Sequence, residues 1–316
     1  MKKALIVGHT GQDGTYLIDY LDSLNYEIIG ISSRLSYSNF KPVSPTIDIL
    51  NKSEVEGLIR FFKPNEIYYL AAVHQSSIDL IADDHQLFHQ SMQINVLALS
   101  NFLEAISKYS NNSRLFYAAS SHVFGNSSHA IQDENTPFSP ICIYGITKMS
   151  GIQLCRYYHL KHQVFASIGI FYNHESPLRA AQFVSKKIVK AAVAIKLKKI
   201  DKLVLGNLNA RIDWGYAPDF VEAAHQILQL NDSDTFVICT GETHSVREFA
   251  EGVFSYLNLD WKQYVEENPK LITKTNRKDL QGNYSKLHQV TGWEPKVYFN
   301  RLIEIMVDNE LISYDE

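Results

Sequence analysis

Ala4-Leu-Ile-Val-Gly8-His-Thr-Gly11-Gln-Asp-Gly14 decides the fold. A strand-length apolar run enters a glycine turn, and Tyr16, Leu17, Tyr20, Leu21 and Leu24 then recur at helical spacing. Strand, glycine turn and helix in that order let backbone amides approach a pyrophosphate at a helix N-terminus. The expected contacts are Gly8, Thr10, Gly11, Gln12, Asp13 and Gly14. A plain structural turn is the alternative left open by this stretch alone.

Outward from it, Glu27-Ile-Ile-Gly-Ile31 reads as a second strand ending in Ser32-Ser33-Arg34. Folds selective for NAD place an acidic residue there for the ribose 2′-hydroxyl. Ser33 and Arg34 instead suit a 2′-phosphate, because a guanidinium and a hydroxyl bind what a carboxylate repels. NADP is therefore the expected cofactor ahead of NAD, with a merely solvent-facing Arg34 as the other reading. Further runs alternate: Pro45–Asp48 as a strand, Lys52–Phe62 as a helix, Glu66–Leu70 as a strand, a long helix over Ser91–Tyr109, then strands at Arg114–Ala118 and Val164–Ile170. Lys186–Lys199 reads as a basic amphipathic helix, and Lys286–Trp293 with a final helix over Asn300–Leu311 reads as a small C-terminal unit. The expectation is an α/β chain with a Rossmann-type, doubly wound parallel sheet and a smaller, mostly C-terminal substrate-binding domain. Residues 1–172 with 213–241 would form the dinucleotide unit, and 173–212 with 242–316 the substrate unit.

The chemistry concentrates at Tyr144-Gly-Ile-Thr-Lys148, downstream of Ala118-Ala-Ser120-Ser-His122. Residues four apart share a helix face, so Lys148 can lie beside the Tyr144 hydroxyl and stabilise its phenolate, making Tyr144 a candidate general base. Gly8, Leu70, Ala71, Ala72 and Ser120 should converge beyond the carboxyl ends of the strands, where open parallel sheets bind ligands. An ordinary amphipathic helix would also carry a Tyr and a Lys at this spacing.

The chain has 316 residues and a formal charge of −4, with no long basic run, which argues against nucleic acid as a partner. The apolar run before Gly8 is too short for a secretory signal, and no stretch approaches membrane-spanning length, so a cytoplasmic protein is expected. Cys142, Cys155 and Cys239 are odd in number and lack metal-ligand spacing, so free thiols rather than a disulfide frame or metal site are expected.

Four longer stretches are more specific: Ala4–Gly14, Asn173-His-Glu-Ser-Pro177, Asp201–Ala210 running into Asp213-Trp-Gly215, and Thr240-Gly-Glu-Thr-His-Ser-Val-Arg-Glu-Phe249. In these the chain resembles the extended short-chain dehydrogenases, and specifically the GDP-mannose 4,6-dehydratase family. The resemblance implies oxidation at the sugar C4, elimination of water across C5 and C6, and return of the hydride to C6. It implies that Tyr144 takes the C4 hydroxyl proton, assisted by Lys148, while Ser120 holds the sugar oxygen. It places Asp48 and Ile49 at the adenine, Leu70, Ala71 and Ala72 by the nicotinamide ribose, and Ser121, Asn173, Lys187, Arg211 and Arg277 on the nucleotide sugar, a GDP-hexose.

Departures accompany the matches. Where the family's dehydratases carry Thr-Ser-Glu, this chain carries Ser120-Ser121-His122, so the eliminating Glu is replaced by His122, which can accept and donate a proton by other geometry. His74 interrupts the wall after Ala72, and Ile212 stands where the family has an Arg, leaving Arg211 for the diphosphate. The segment between Arg34 and Asp48 is shorter than the family's tetramer-forming insertion, so a homodimer is expected. Three functions follow: a 4,6-dehydratase using His122, a GDP-sugar C4 oxidoreductase or epimerase without elimination, and a non-catalytic NADP-binding sensor.

Overall fold

The computed structural model describes residues 1–33, 36–40, 46–73, 83–271 and 279–315. Arg34, Pro45, His74 and Arg277 lie outside the described residues.

β1 (Lys3–Val7) passes through the glycine turn into α1 (Gln12–Ser23), then β2 (Glu27–Ile31) and β3 (Ser36–Ser38). α2 (Lys52–Phe62) starts where the Asn51 side chain caps the Ser53 and Glu54 amides, and leads to β4 (Glu66–Tyr69). α3 (Asp84–Met92) and α4 (Leu99–Tyr109) are joined by a π-helical stretch, Gln93–Ala98, before β5 (Arg114–Ser120). That wide turn carries the fully buried Asn95, whose Oδ1 accepts from the Val73 amide at 3.1 Å and whose Nδ2 donates to Thr147 Oγ1 at 2.9 Å.

After β6 (Ile131–Gln132) come α5 (Ile143–His162), β7 (Phe165–Phe171), β8 (Asn173–Glu175) and α6 (Val184–Lys196). β9 (Leu203–Leu205), β10 (Arg211–Ile212), β11 (Trp214–Tyr216), α7 (Ala217–Gln229) and β12 (Thr235–Ile238) follow. The chain finishes through β13 (His244–Ser245), α8 (Val246–Tyr256), β14 (Val265–Glu267), β15 (Gln281–Gly282), α9 (Ser285–Thr291) and α10 (Phe299–Asp315).

The main sheet runs β12-β7-β5-β4-β1-β2-β3, parallel throughout except for the antiparallel edge β3. Side chains alternate across it. Leu5, Val7, Ile29 and Tyr69 pack on one face with Val55, Phe102 and Ile152 of α2, α4 and α5. Ala4, Ile6, Ile28 and Tyr68 pack on the other with Leu17, Leu21, Phe220 and Ala224 of α1 and α7. A separate apolar cluster joins α6, α8 and α10 through Val189, Phe249 and Met306. The strand order reverses between β1 and β4, which opens a crevice at their carboxyl ends.

The strand expected at Pro45–Asp48 does not form over 46–48. The Asp48 carboxylate accepts the Leu50 amide at 2.9 Å and its carbonyl accepts the Asn51 amide at 3.0 Å, so the chain turns there into the cap of α2. Among the described residues no helix is long and apolar enough to cross a membrane, and no cluster of His, Cys, Asp and Glu could hold a metal ion.

Candidate active site

The glycine turn lies against Leu70 and Ala71, beside the crevice. Gly8 holds φ at +96°, and a Cβ there would lie 2.8 Å from the Ala71 amide nitrogen, so backbone meets backbone where β1 and β4 end. A Cβ on Gly14 would fall 2.5 Å from both the Gly8 carbonyl oxygen and the His9 Cα. α1 therefore starts directly against the strand end, with Gly11 at its cap and no side chain on its first amides. Those amides and the positive end of the helix dipole suit a phosphate, and the residues present fit a dinucleotide.

Asp13, Leu70, Ala72, Ser120, Tyr144 and Lys148 line the crevice, together with Asn173, His174, Arg179 and Phe183. β8 is held there by parallel pairing with β11, which sets Asn173 opposite Trp214 and His174 opposite Gly215.

Lys148 is fully buried in α5, with its Nζ donating to the Ala118 carbonyl at 2.7 Å and lying 5.6 Å from the Tyr144 ring centre. Burial lowers its ammonium to about 7, against which the Asp13 carboxylate works only in part. Burial also pushes the Tyr144 phenol well above its usual range, and Asp13 adds to that push while Arg179 opposes it. Burial is the largest cause of both shifts, disfavouring the phenolate of Tyr144 and the ammonium of Lys148 alike.

Ser120 ends β5 and its Oγ accepts the His122 amide at 3.3 Å, turning the chain into the short 3-10 segment Ser121–Val123. This turn presents His122 edge-on to Tyr144, ring centres 5.4 Å apart and planes at 88°. His122 Nδ1 lies 3.5 Å from Cys142 Sγ.

A neighbouring groove contains Ser121, His122, Asn173, Arg211 and Asp213. The Arg211 guanidinium is anchored to the Thr243 carbonyl at 2.5 Å and to Glu248 at 3.4 Å. Lys187 is placed elsewhere: its Nζ donates to the Val204 carbonyl at 2.8 Å and lines neither crevice nor groove. Thr10 and Ser33 are exposed, and Ile49 packs on the core beside α4, its carbonyl accepting from Asn101 at 3.0 Å. Asp48 is exposed, its carboxylate engaged in its own turn.

Two residues that sequence reasoning gave no role stand out. His174 Nε2 lies 3.0 Å from both Asp13 oxygens, and Arg179 Nε lies 3.0 Å from Glu175 Oε2. Gln12 completes the joint, donating to the His174 carbonyl at 3.0 Å and accepting from Ser176 Oγ at 2.7 Å. Asn173-His-Glu-Ser-Pro177 was a visible signal, but what each of its side chains faces depends on the fold.

The family model described as GDP-mannose 4,6 dehydratase matches residues 5–306. GDP-mannose 4,6 dehydratase 2 of Arabidopsis thaliana is 35% identical over 330 aligned positions, covering 98% of this chain and 87% of its own length. Two solved structures share the fold. A dTDP-glucose 4,6-dehydratase from Bacillus anthracis in complex with NAD has a TM-score of 0.84 at 20% identity, covering 100% of this chain and 98% of its own. RMD from Pseudomonas aeruginosa complexed with NADPH has a TM-score of 0.83 at 18% identity, covering 99% and 100%. With a match running from the first strand to the last helix, the chain belongs to the GDP-mannose 4,6-dehydratase family.

Proposed function

We propose that this protein is an NADP-dependent GDP-sugar 4,6-dehydratase, acting on GDP-mannose or a related GDP-hexose, and that it works as a homodimer. The observation that carries this reading is the meeting of Ser120, His122, Tyr144 and Lys148 in one crevice beside the glycine turn. Residues 1–172 and 213–241 would hold the dinucleotide, and 173–212 and 242–316 the nucleotide sugar. Bound NADP would supply the acceptor, and later the donor, of a hydride.

The chain's own groups do the rest. Gly8, Gly11 and Gly14 let backbone amides approach the pyrophosphate, with Thr10, Gln12 and Asp13 around it; Ser33 and Arg34 select the 2′-phosphate; Asp48 and Ile49 flank the adenine; and Leu70, Ala71 and Ala72 wall the nicotinamide ribose. Tyr144 takes the C4 hydroxyl proton, a task that raises the need for a nearby cation because burial disfavours its anion. Lys148, its Nζ 5.6 Å from the Tyr144 ring centre, is that cation when protonated. Ser120 holds the C4 oxygen. Ser121, Asn173 and Arg211 contact the sugar and diphosphate, with Arg277 as a further contact by family position. His122 removes the C5 proton and returns it to the departing C6 hydroxyl.

The test is to incubate the protein with NADP and GDP-mannose and weigh the products. Loss of one water supports the reading, whereas unchanged mass across several GDP-hexoses refutes it. Tighter binding of NAD than NADP would overturn the cofactor choice. The replacement of Glu by His122 favours one second reading, a C4 oxidoreductase or epimerase that exchanges the C4 hydrogen without losing water.

A further inference from the structure

Cys142 has no part in the account above, yet its thiol lies against the side chain on which elimination depends. It is the residue before α5, with extended backbone (φ −142°, ψ 156°), and its Sγ accepts the Gly145 amide at 3.4 Å, filling the N-cap position with sulfur. The same sulfur is 3.5 Å from His122 Nδ1. His122 borders both the crevice, with Tyr144 and Asn173, and a second groove on the Cys142 side formed by Ile141, Ile143, Asp84 and Leu87. Cys142 is half-buried, whereas Cys155 and Cys239 are fully buried in the main core.

A carboxylate has two equivalent oxygens and no tautomer to choose. An imidazole has two distinct nitrogens, and the bond made by one decides whether the other carries a lone pair or a proton. A His that begins a reaction as a base therefore needs a partner that holds the hydrogen on the opposite nitrogen. Given the reading of His122 as the eliminating group, on which this inference rests, we propose that Cys142 is its positioning residue. Sγ accepts Nδ1–H and so keeps the lone pair on Nε2, at the opposite edge of the ring.

The step balances without an added reactant. Nε2 takes the C5 proton as the C5–H bond breaks, and the electron pair forms the C5–C6 double bond as the C6–O bond breaks. The departing hydroxyl receives that proton and leaves as water, and His122 is neutral again. Through the interval Nδ1–H keeps its hydrogen bond to Sγ, and the imidazolium forms with its orientation fixed.

The experiment compares wild type, C142A, C142S and H122A in single turnovers with NADP and GDP-mannose. It follows nicotinamide absorbance for C4 oxidation, deuterium uptake at C5 from heavy water, and product mass for water loss. C142A should slow C5 exchange and water loss by about ten- to a hundredfold, with C4 oxidation held within about twofold, and should shift the pH profile of elimination. C142S, which keeps an acceptor, should recover most of the rate. Elimination in C142A within about twofold of wild type, or a parallel fall in both steps, overturns the proposal. Water loss that persists in H122A defeats the reading of His122 itself, whereas dependence on His122 without dependence on Cys142 defeats only the role of the thiol. Nitrogen-15 spectra of the wild-type protein give a readout independent of turnover and of how the variants fold. A neutral His122 protonated at Nδ1 supports the proposal, and one protonated at Nε2 overturns it.

Discussion

His174 and Asp13 grip each other in the lining of the crevice, the imidazole Nε2 equidistant at 3.0 Å from both carboxylate oxygens. Burial alone would raise the Asp13 carboxyl, but the charge and hydrogen bond of His174 hold it below its usual value. Burial alone would lower His174, but Asp13 lifts it above 6.5. Replacing Asp13 by Asn should therefore drop the His174 titration below 6.5, since burial, the largest influence, and the Arg179 charge both lower it and only the Tyr172 carbonyl would still raise it. Histidine proton NMR measured across pH checks this, and an unmoved titration would show that the pair is not coupled.

Tyr144→Phe removes the hydroxyl and leaves the ring against His122. C4 oxidation should fall by about 10²–10⁴-fold, the usual worth of a positioned acid or base, while thermal stability stays near wild type. Single-turnover absorbance and a melting curve read both. A variant that oxidises sugar at the normal rate would remove Tyr144 from the chemistry.

Lys148 gives a pH signature in stability. Its ammonium falls from 10.5 in the open chain to about 7 in the fold. Below 7 both states hold the proton; between 7 and 10.5 the unfolded chain holds it and the native protein does not, so stability rises with pH through that window. The contribution of Lys148 should reach on the order of 4 kcal/mol and appears as the difference between wild type and Lys148→Met, since buried groups such as Tyr69 and Cys239, held above their usual values, lower stability toward pH 10 in both proteins. Denaturant titrations of both proteins at pH 7 and pH 10 give the difference directly.

Two glycines should respond in opposite directions. Gly14→Ala forces a Cβ to within 2.5 Å of backbone that cannot yield, costing about 1–3 kcal/mol and weakening dinucleotide binding. Gly57 lies inside α2 with nothing within 4 Å of its Cβ position, so Gly57→Ala should add about 0.5–1 kcal/mol. Equilibrium unfolding and calorimetric binding separate the two effects.

Much of the sheet was readable because β1, β2, β4, β5 and β7 are near-continuous apolar runs, the mark of strands covered on both faces. α2 matched its expected span from Lys52 to Phe62, since its Asn51 cap and apolar spacing are both local signals. The expected strand misled over 46–48 because an extended run and a turn share the same residues until the Asp48 hydrogen bonds are known. In the site, Ser120, Tyr144 and Lys148 were legible from spacing on one strand and one helix. The grip of His174 on Asp13 spans 161 positions, and the Cys142 contact with His122 spans 20, so neither has a local signature. Nor does the titration of Lys148, which depends on how much protein surrounds it.

The wide turn at Gln93–Ala98 is a local detour in one long helix. A π stretch holds one more residue than an α turn of the same span, so excising that residue would close the bulge into continuous α-helix and leave α3 and α4 close to their present phase. Leu99, Phe102 and Ile106 would keep their packing, and the cost would fall on Asn95, which the bulge aims at Val73 and Thr147. The extra residue therefore serves the tie between those two segments rather than the packing of α4.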